Sequence, residues 1–153
     1  SEKGVKINDK MPYYAFKYMK RAFGLNSLNN KRILILGVSY RSDVGDTRYS
    51  PVELFYLSCY NEKALIDIHD PYVEKWDELS LNVSQNLDTL LDKKWDLIVF
   101  STAHNEYKDS KLISKLINMK NIMVYDTIGI LSQVDIDRIN LRNKVKVLGR
   151  GDI

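Results

Sequence analysis

Three short segments of this chain are apolar at every position: Ile33–Leu36, Leu97–Phe100 and Ile122–Tyr125. A strand with one wet face alternates apolar and polar side chains, because successive residues point to opposite sides. A strand that is apolar throughout needs cover on both faces, which is the mark of a parallel sheet lying between helices. None of the three is long enough to cross a bilayer.

The segments between them fit that plan. The spacing predicts strands at Arg32–Leu36, Ala64–His69, Leu97–Ser101, Ile122–Tyr125 and Val145–Leu148. Helices are predicted at Pro51–Asn61, Ser84–Lys93 and Tyr107–Asn118, the last with Leu112, Ile113, Leu116 and Ile117 facing inward. An earlier helix is expected over residues 5–25, where Met11, Ala15, Tyr18, Met19 and Ala22 form a stripe at spacings of three and four. Pro12 falls near its first turn, and Gly24 with the polar run 26–30 ends it and reads as a linker. The alternation argues for an α/β fold: a Rossmann-like, doubly wound parallel sheet of about five strands, preceded by one helix. The body begins at Lys31 and runs to residue 153.

Composition narrows the function. Lys and Arg number 23 against 20 Asp and Glu, and a net charge of +3 is too small to imply nucleic acid or an anionic membrane. A single Cys rules out an intrachain disulfide and a CxxC metal site. With two His and no HExxH, a zinc enzyme is not expected. No signal-peptide pattern opens the chain, and Ser1-Glu2-Lys3-Gly4, without Met, reads as a cut point. A reducing, cytoplasmic setting is expected.

In a doubly wound sheet, ligands lie at the carboxyl ends of the strands, near the point where strand order reverses. Residues 37–51 leave the first strand there. They do not spell GxGxxG; Gly occurs only at 37 and 45. A dinucleotide fingerprint needs a tight turn straight into a helix, so a complete small NAD-binding protein is disfavoured. A long loop in a compact domain is often functional. Ser50, Pro51 and Glu53 read as an N-cap, a first-turn proline and the far end of a capping box. Arg41 and Arg48 beside that helix start could hold a phosphate or carboxylate, or could pair with Asp43 and Asp46 on their own loop.

Other candidates are read more plainly. Cys59 shares a helix face with Val52, Phe55 and Tyr56, which makes it a small buried hydrophobe rather than a nucleophile. His104, just past the third strand, stands where a ligand could reach it or where it helps start the next helix. Asp70 ends the second strand at the position of a ribose-binding acid, but Pro71 favours a turn. Tyr13, Tyr14 and Tyr18 are expected to pack. Arg138, Arg142, Lys144, Lys146 and Arg150, mixed with Asp135 and Asp137, read as a solvated edge.

One set of motifs is specific. Ile33-Leu34-Ile35-Leu36-Gly37-Val38-Ser39-Tyr40-Arg41, Asp43-Val44-Gly45-Asp46-Thr47-Arg48 and Ser50-Pro51 together resemble the C-terminal domain of the UDP-glucose/GDP-mannose dehydrogenase family. His69-Asp70-Pro71-Tyr72, Thr102–Tyr107 and Val124–Thr127 match in order, and Ile7–Pro12 is similar to the end of the family's central helix. The His-containing loop and Asp126-Thr127-Ile128-Gly129 look more like the UDP-N-acetylhexosamine branch.

The resemblance implies an NAD-dependent, four-electron oxidation of C6 of a nucleotide sugar, through a Cys-bound thioester, to the uronic acid. In the family, the NAD domain and the catalytic Cys precede the matching segment, and neither motif occurs in this chain. The chain is thus expected to be the nucleotide-sugar-binding part of a longer enzyme. Residues 1–25 would end a connecting, dimerisation helix, and residues 31–153 would bind a UDP-sugar. The implied partners are its own NAD domain and, at full length, further copies of itself. Tyr40, Arg41 and His104 fall to the substrate side and Arg48 to the cofactor, with no catalytic residue and no metal in this segment. Arg41 stands where the family usually has Lys, and Ile128 where many members carry a basic residue. The rival expectation is a free-standing, non-enzymatic nucleotide-binding or regulatory module of the same fold.

Overall fold

A computed structural model describes residues 13–149. Five parallel strands form one sheet: β1 (Arg32–Leu36), β2 (Leu65–His69), β5 (Leu97–Phe100), β6 (Met123–Asp126) and β7 (Lys144–Val147). Their order is β2-β1-β5-β6-β7, so the direction of winding reverses between β1 and β5.

Both faces are covered, as continuous apolar strands require. Ile33 and Ile35 of β1, with Leu97 and Val99 of β5 and Tyr125 of β6, face one core. That core holds a helix over residues 13–22, termed α1, and α2 (Val52–Asn61). Leu34 and Leu36, with Ile98, Phe100 and Val124, face the other. There they meet α3 (Leu87–Leu91), α4 (Ser110–Asn118) and α5 (Gln133–Ile139). The alternation within single strands is the doubly wound arrangement seen from the side chains.

Several local expectations need correction. The run 133–139 forms a helix that the spacing does not predict, with only Ile139 fully inside, while Asp137, Arg138, Arg142 and Lys144 are exposed as a solvated edge requires. Residues 105–108 form a separate 3₁₀ turn, and α4 starts at Ser110 because the Asp109 side chain accepts from the Lys111 N–H. The helix near 84–93 shortens to Leu87–Leu91, capped by the Asn86 side chain. A two-residue hairpin, β3 (Lys75–Trp76) with β4 (Leu81–Asn82), was not expected at all. Of the expected first helix, residues 5–12 lie outside the described residues, as does Arg150. The polar run after Gly24 is anchored. Leu28 is fully buried, its N–H donates to Glu62 Oε1 at 3.1 Å, and Lys20 Nζ meets Glu62 Oε2 at 2.6 Å. Among the described residues, no helix is long and apolar enough to cross a membrane.

Candidate functional site

The reversal point between β1 and β5 gathers three loops: 37–51 after β1, 70–72 after β2 and 101–107 after β5. Gly37 makes this convergence possible. Its φ is 100°, and a Cβ there would stand 2.5 Å from Thr102 Cβ. A side chain at Gly45 would stand 2.5 Å from the Tyr72 carbonyl oxygen. Both glycines are needed for close approach between loops, Gly37 to the loop after β5 and Gly45 to the loop after β2.

Asp70 binds the three loops together. It is fully buried. Its Oδ2 accepts from Val38 N–H at 2.9 Å, Ser39 N–H at 3.2 Å, Ser39 Oγ at 2.9 Å and His104 Nε2 at 2.9 Å. Its Oδ1 accepts from Tyr72 N–H at 2.8 Å. Burial alone would raise the carboxyl's pKa, but the bonds from His104, Val38 and Tyr72 outweigh it and hold the group ionised below its ordinary range. A ribose hydroxyl has no route to this carboxylate, so the ribose-acid reading of Asp70 fails. For the same reason this sheet does not fit NAD in the usual dinucleotide mode: the glycine turn is missing and the acid is enclosed.

The long loop ends on α2 without the expected capping box: Pro51, not Ser50, is the N-cap, and it makes no side-chain cap bond. Ser50 Oγ accepts from Val52 N–H at 3.2 Å, while the Ser50 N–H turns back to the Thr47 carbonyl at 3.2 Å. That N–H is therefore not the partner of Glu53. Thr47 Oγ1 meets Glu78 Oε1 at 2.6 Å, which ties the loop to the hairpin region.

The four expected site residues occupy two different environments. Tyr40, Arg41 and Arg48 are exposed on the loop. The Tyr40 N–H donates to the Asp46 carbonyl at 2.6 Å. Arg48 makes a fork on Asp46, with Nε at 3.1 Å and Nη2 at 3.0 Å. These bonds hold the Asp46 carboxyl down at about 2, with the nearby charge of Arg41 adding to the effect. Arg48 is raised in turn by the same contact. The loop pairing weighed for Arg48 is therefore real, and both arginines act on one carboxylate. Arg41 makes no hydrogen bond or ion pair among the described residues, and Asp43 is engaged elsewhere. His104 does not share their surface: it is fully buried and both ring nitrogens are occupied.

Cys59 is buried, and burial drives its thiol far above the ordinary range, which leaves it inert at neutral pH. Asp126 is also buried, folding the 127–131 turn around itself. The roles of Asp43 and Asp70 were missed in sequence. The pair His69-Asp70 at a strand end was the visible signal, but its partners lie more than 30 residues away in both directions.

The profile of the UDP-glucose/GDP-mannose dehydrogenase family, UDP binding domain, matches residues 34–133. The chain belongs to this family. It is 29% identical over 150 residues to the UDP-N-acetyl-D-mannosamine dehydrogenase of Methanococcus vannielii, covering 95% of this chain and 33% of the relative. It is 33% identical over 84 residues to UDP-glucose 6-dehydrogenase 2 of Arabidopsis thaliana, covering 54% of this chain and 17% of that protein. Among solved structures, it superposes on the NDP-N-acetyl-D-galactosaminuronic acid dehydrogenase of Methanosarcina mazei with a TM-score of 0.79 at 23% identity. That match covers 95% of this chain and 30% of the other. The UDP-N-acetyl-mannosamine dehydrogenase of Staphylococcus aureus gives 0.66 at 26% identity, covering 85% and 29%. The chain thus spans about a third or less of the length of the relatives it matches.

Proposed function

We propose that this chain is the UDP-sugar-holding part of a longer NAD-dependent dehydrogenase that oxidises C6 of a UDP-N-acetylhexosamine or UDP-hexose to the carboxylate. The observation that carries the reading is the exposed set Tyr40, Arg41 and Arg48 on one loop at the sheet's reversal point, within the 34–133 match. A pyrophosphate is a dianion, and a free guanidinium fork can take two of its oxygens at once. Arg41 is free to do so. Arg48, already aligned by Asp46, is the group suited to reach a cofactor held by a preceding domain. The N-acetylated branch is favoured because the relatives aligned along nearly the whole chain act on UDP-N-acetyl-D-mannosamine by name. The chain by itself turns over no substrate, since Cys59 is sealed in the core and the sheet does not fit NAD. Cytoplasmic residence and a role in polysaccharide synthesis go with this reading.

Calorimetric titration of the 153-residue chain tests it. UDP binds and GDP binds less tightly. Arg41→Ala weakens UDP about tenfold or more, the worth of one charge-assisted hydrogen bond. Arg48→Ala leaves UDP affinity within about twofold, since that contact is to the cofactor. Equal losses from both substitutions would refute the division of labour, and no UDP binding would refute the reading. NADH formation by this chain with any UDP-sugar would show that it is more than a binding part.

A further inference from the structure

His104 is buried beneath the loop that carries Tyr40 and Arg41, with which it is expected to share the substrate side. Nδ1 lies 2.8 Å from the Asp43 backbone nitrogen and Nε2 lies 2.9 Å from Asp70 Oδ2. A backbone N–H can only donate, so Nδ1 carries no proton. The proton sits on Nε2 and points at Asp70. The ring is therefore held as the neutral Nε2–H tautomer, with one nitrogen accepting and the other donating.

The contact to Asp43 is doubled. Asp43 Oδ1 accepts from the Asn105 N–H at 2.9 Å, so neighbouring residues on each loop bond in both directions. Asp43 has a φ of 61°, the left-handed region that Asp tolerates better than most side chains. The Tyr72 ring sits 4.9 Å from the imidazole and closes it off. Among the described residues, the hydrogen bonds that tie residues 40–45 to the chain outside their loop all run through Asp43. Tyr40 and Arg41 themselves bond only within the loop or not at all.

We infer that His104 is a positioning residue: it carries the fixed geometry of Asp70 through Nδ1 to the Asp43 turn, and so sets where Tyr40 and Arg41 stand. It touches no ligand. The inference rests on the UDP-binding reading above for its effect on affinity. Its effect on the loop stands on the contacts alone.

Two substitutions separate the nitrogens. His104→Asn places an amide oxygen near the position of Nδ1, which keeps an acceptor for Asp43 and gives up the reach to Asp70. His104→Gln keeps a donor for Asp70 and withdraws the acceptor from Asp43. In the unaltered 153-residue chain, ¹⁵N spectra show the Nε2–H tautomer at His104. In His104→Asn, where the acceptor is kept but its Asp70 anchor is lost, hydrogen exchange at the Asp43 amide rises and UDP affinity falls, each by less than about threefold. In His104→Gln the Asp43 amide exchanges about tenfold faster or more and UDP weakens by a similar factor, with the amides of β5 and α4 unchanged. If His104→Gln does not fold, Asp43→Gly, which suits a φ of 61°, removes the Asn105 bond and weakens UDP severalfold at an unchanged melting temperature. Equal weakening by Asn and Gln, or a Gln variant with unchanged Asp43 exchange, would overturn the inference and leave His104 as core packing. Failure of the unaltered chain to bind UDP would overturn the functional reading, while the exchange data would still judge the tie.

Discussion

Asp70 and Asp126 are the same residue in the same kind of place. One directly follows β2 and the other ends β6, both are fully buried, and both have each oxygen occupied. Their partners differ. Asp126 accepts from the N–H groups of Ile128, Gly129, Ile130 and Leu131, all within five residues. Asp70 accepts from Val38 and Ser39 on one side and His104 on the other, and only Tyr72 is local. The first shapes its own turn. The second fastens two distant loops to a third. A fault at Asp126 should stay where it is made, and a fault at Asp70 should spread to the surface that carries Arg41.

The widest break in that comparison is Asp70→Ala. It leaves the Val38 and Ser39 N–H groups and the His104 Nε2–H without an acceptor in the core, for a loss of about 3–5 kcal/mol in urea unfolding. UDP binding should vanish with it. A loss below about 1 kcal/mol would show that water takes the carboxylate's place.

Gly37→Ala attacks the same convergence through sterics. The new Cβ meets Thr102 and the φ of 100° is strained for any side chain, which together cost about 2–4 kcal/mol. Gly129→Ala is its local counterpart, with a φ of 71° and open space around the Cβ, and should cost only about 1 kcal/mol. Thermal melts of the two variants check the ranking, and equal shifts would remove the distinction.

Asp126→Ala comes next, at about 2 kcal/mol, because the half-buried turn it leaves behind can be rescued in part by water. UDP titration sharpens the point: the affinity lost should be a small fraction of that lost with Asp70.

The smallest effect is acid sensitivity beside Asp70. Burial lowers the pKa of His69 below its ordinary 6.5, against the pull of the Asp70 charge. As pH falls, the unfolded chain takes the proton first, so stability is complete above about 6.5 and drains below it, at no more than about 1.4 kcal/mol per pH unit. His69→Gln should flatten the fall in melting temperature between pH 7.5 and 5.5. An unchanged slope would place the sensitivity in another group.

What could be read from the sequence follows the same local-versus-distant line. β1, β5 and β6 announced themselves because burial on both faces leaves polar residues only at their ends, Arg32 and Asp126. α5 did not, since Gln133-Val134-Asp135-Ile136-Asp137-Arg138-Ile139 has one fully buried side chain and its Val134 is exposed. The hairpin Lys75–Asn82 is too short for any period to register. The loop bearing Arg41 and Arg48 was legible from its motif, and so was the burial of Cys59. The inward turn of His104 was not. Whether a histidine after a strand faces solvent depends on an acceptor and a donor 34 and 61 residues away, and no local spacing encodes that.

The helix over residues 13–22 is fastened to the sheet at β6 and β7, where Tyr18 donates its hydroxyl to the Val147 carbonyl at 3.4 Å. Tyr125 of β6 stacks on Tyr18, donates its hydroxyl to the Ala15 carbonyl at 2.7 Å, and takes Phe23 edge-on. Ala15, Phe16, Tyr18, Met19 and Phe23 are all buried there. Mechanically, this segment is a lever welded to the sheet rather than a hinge beside it. A torque arriving along the helix would be delivered to β6 and β7, the strands beyond β5 on one side of the reversal point. An excision at residue 30 would strip the sheet of its bearing surface.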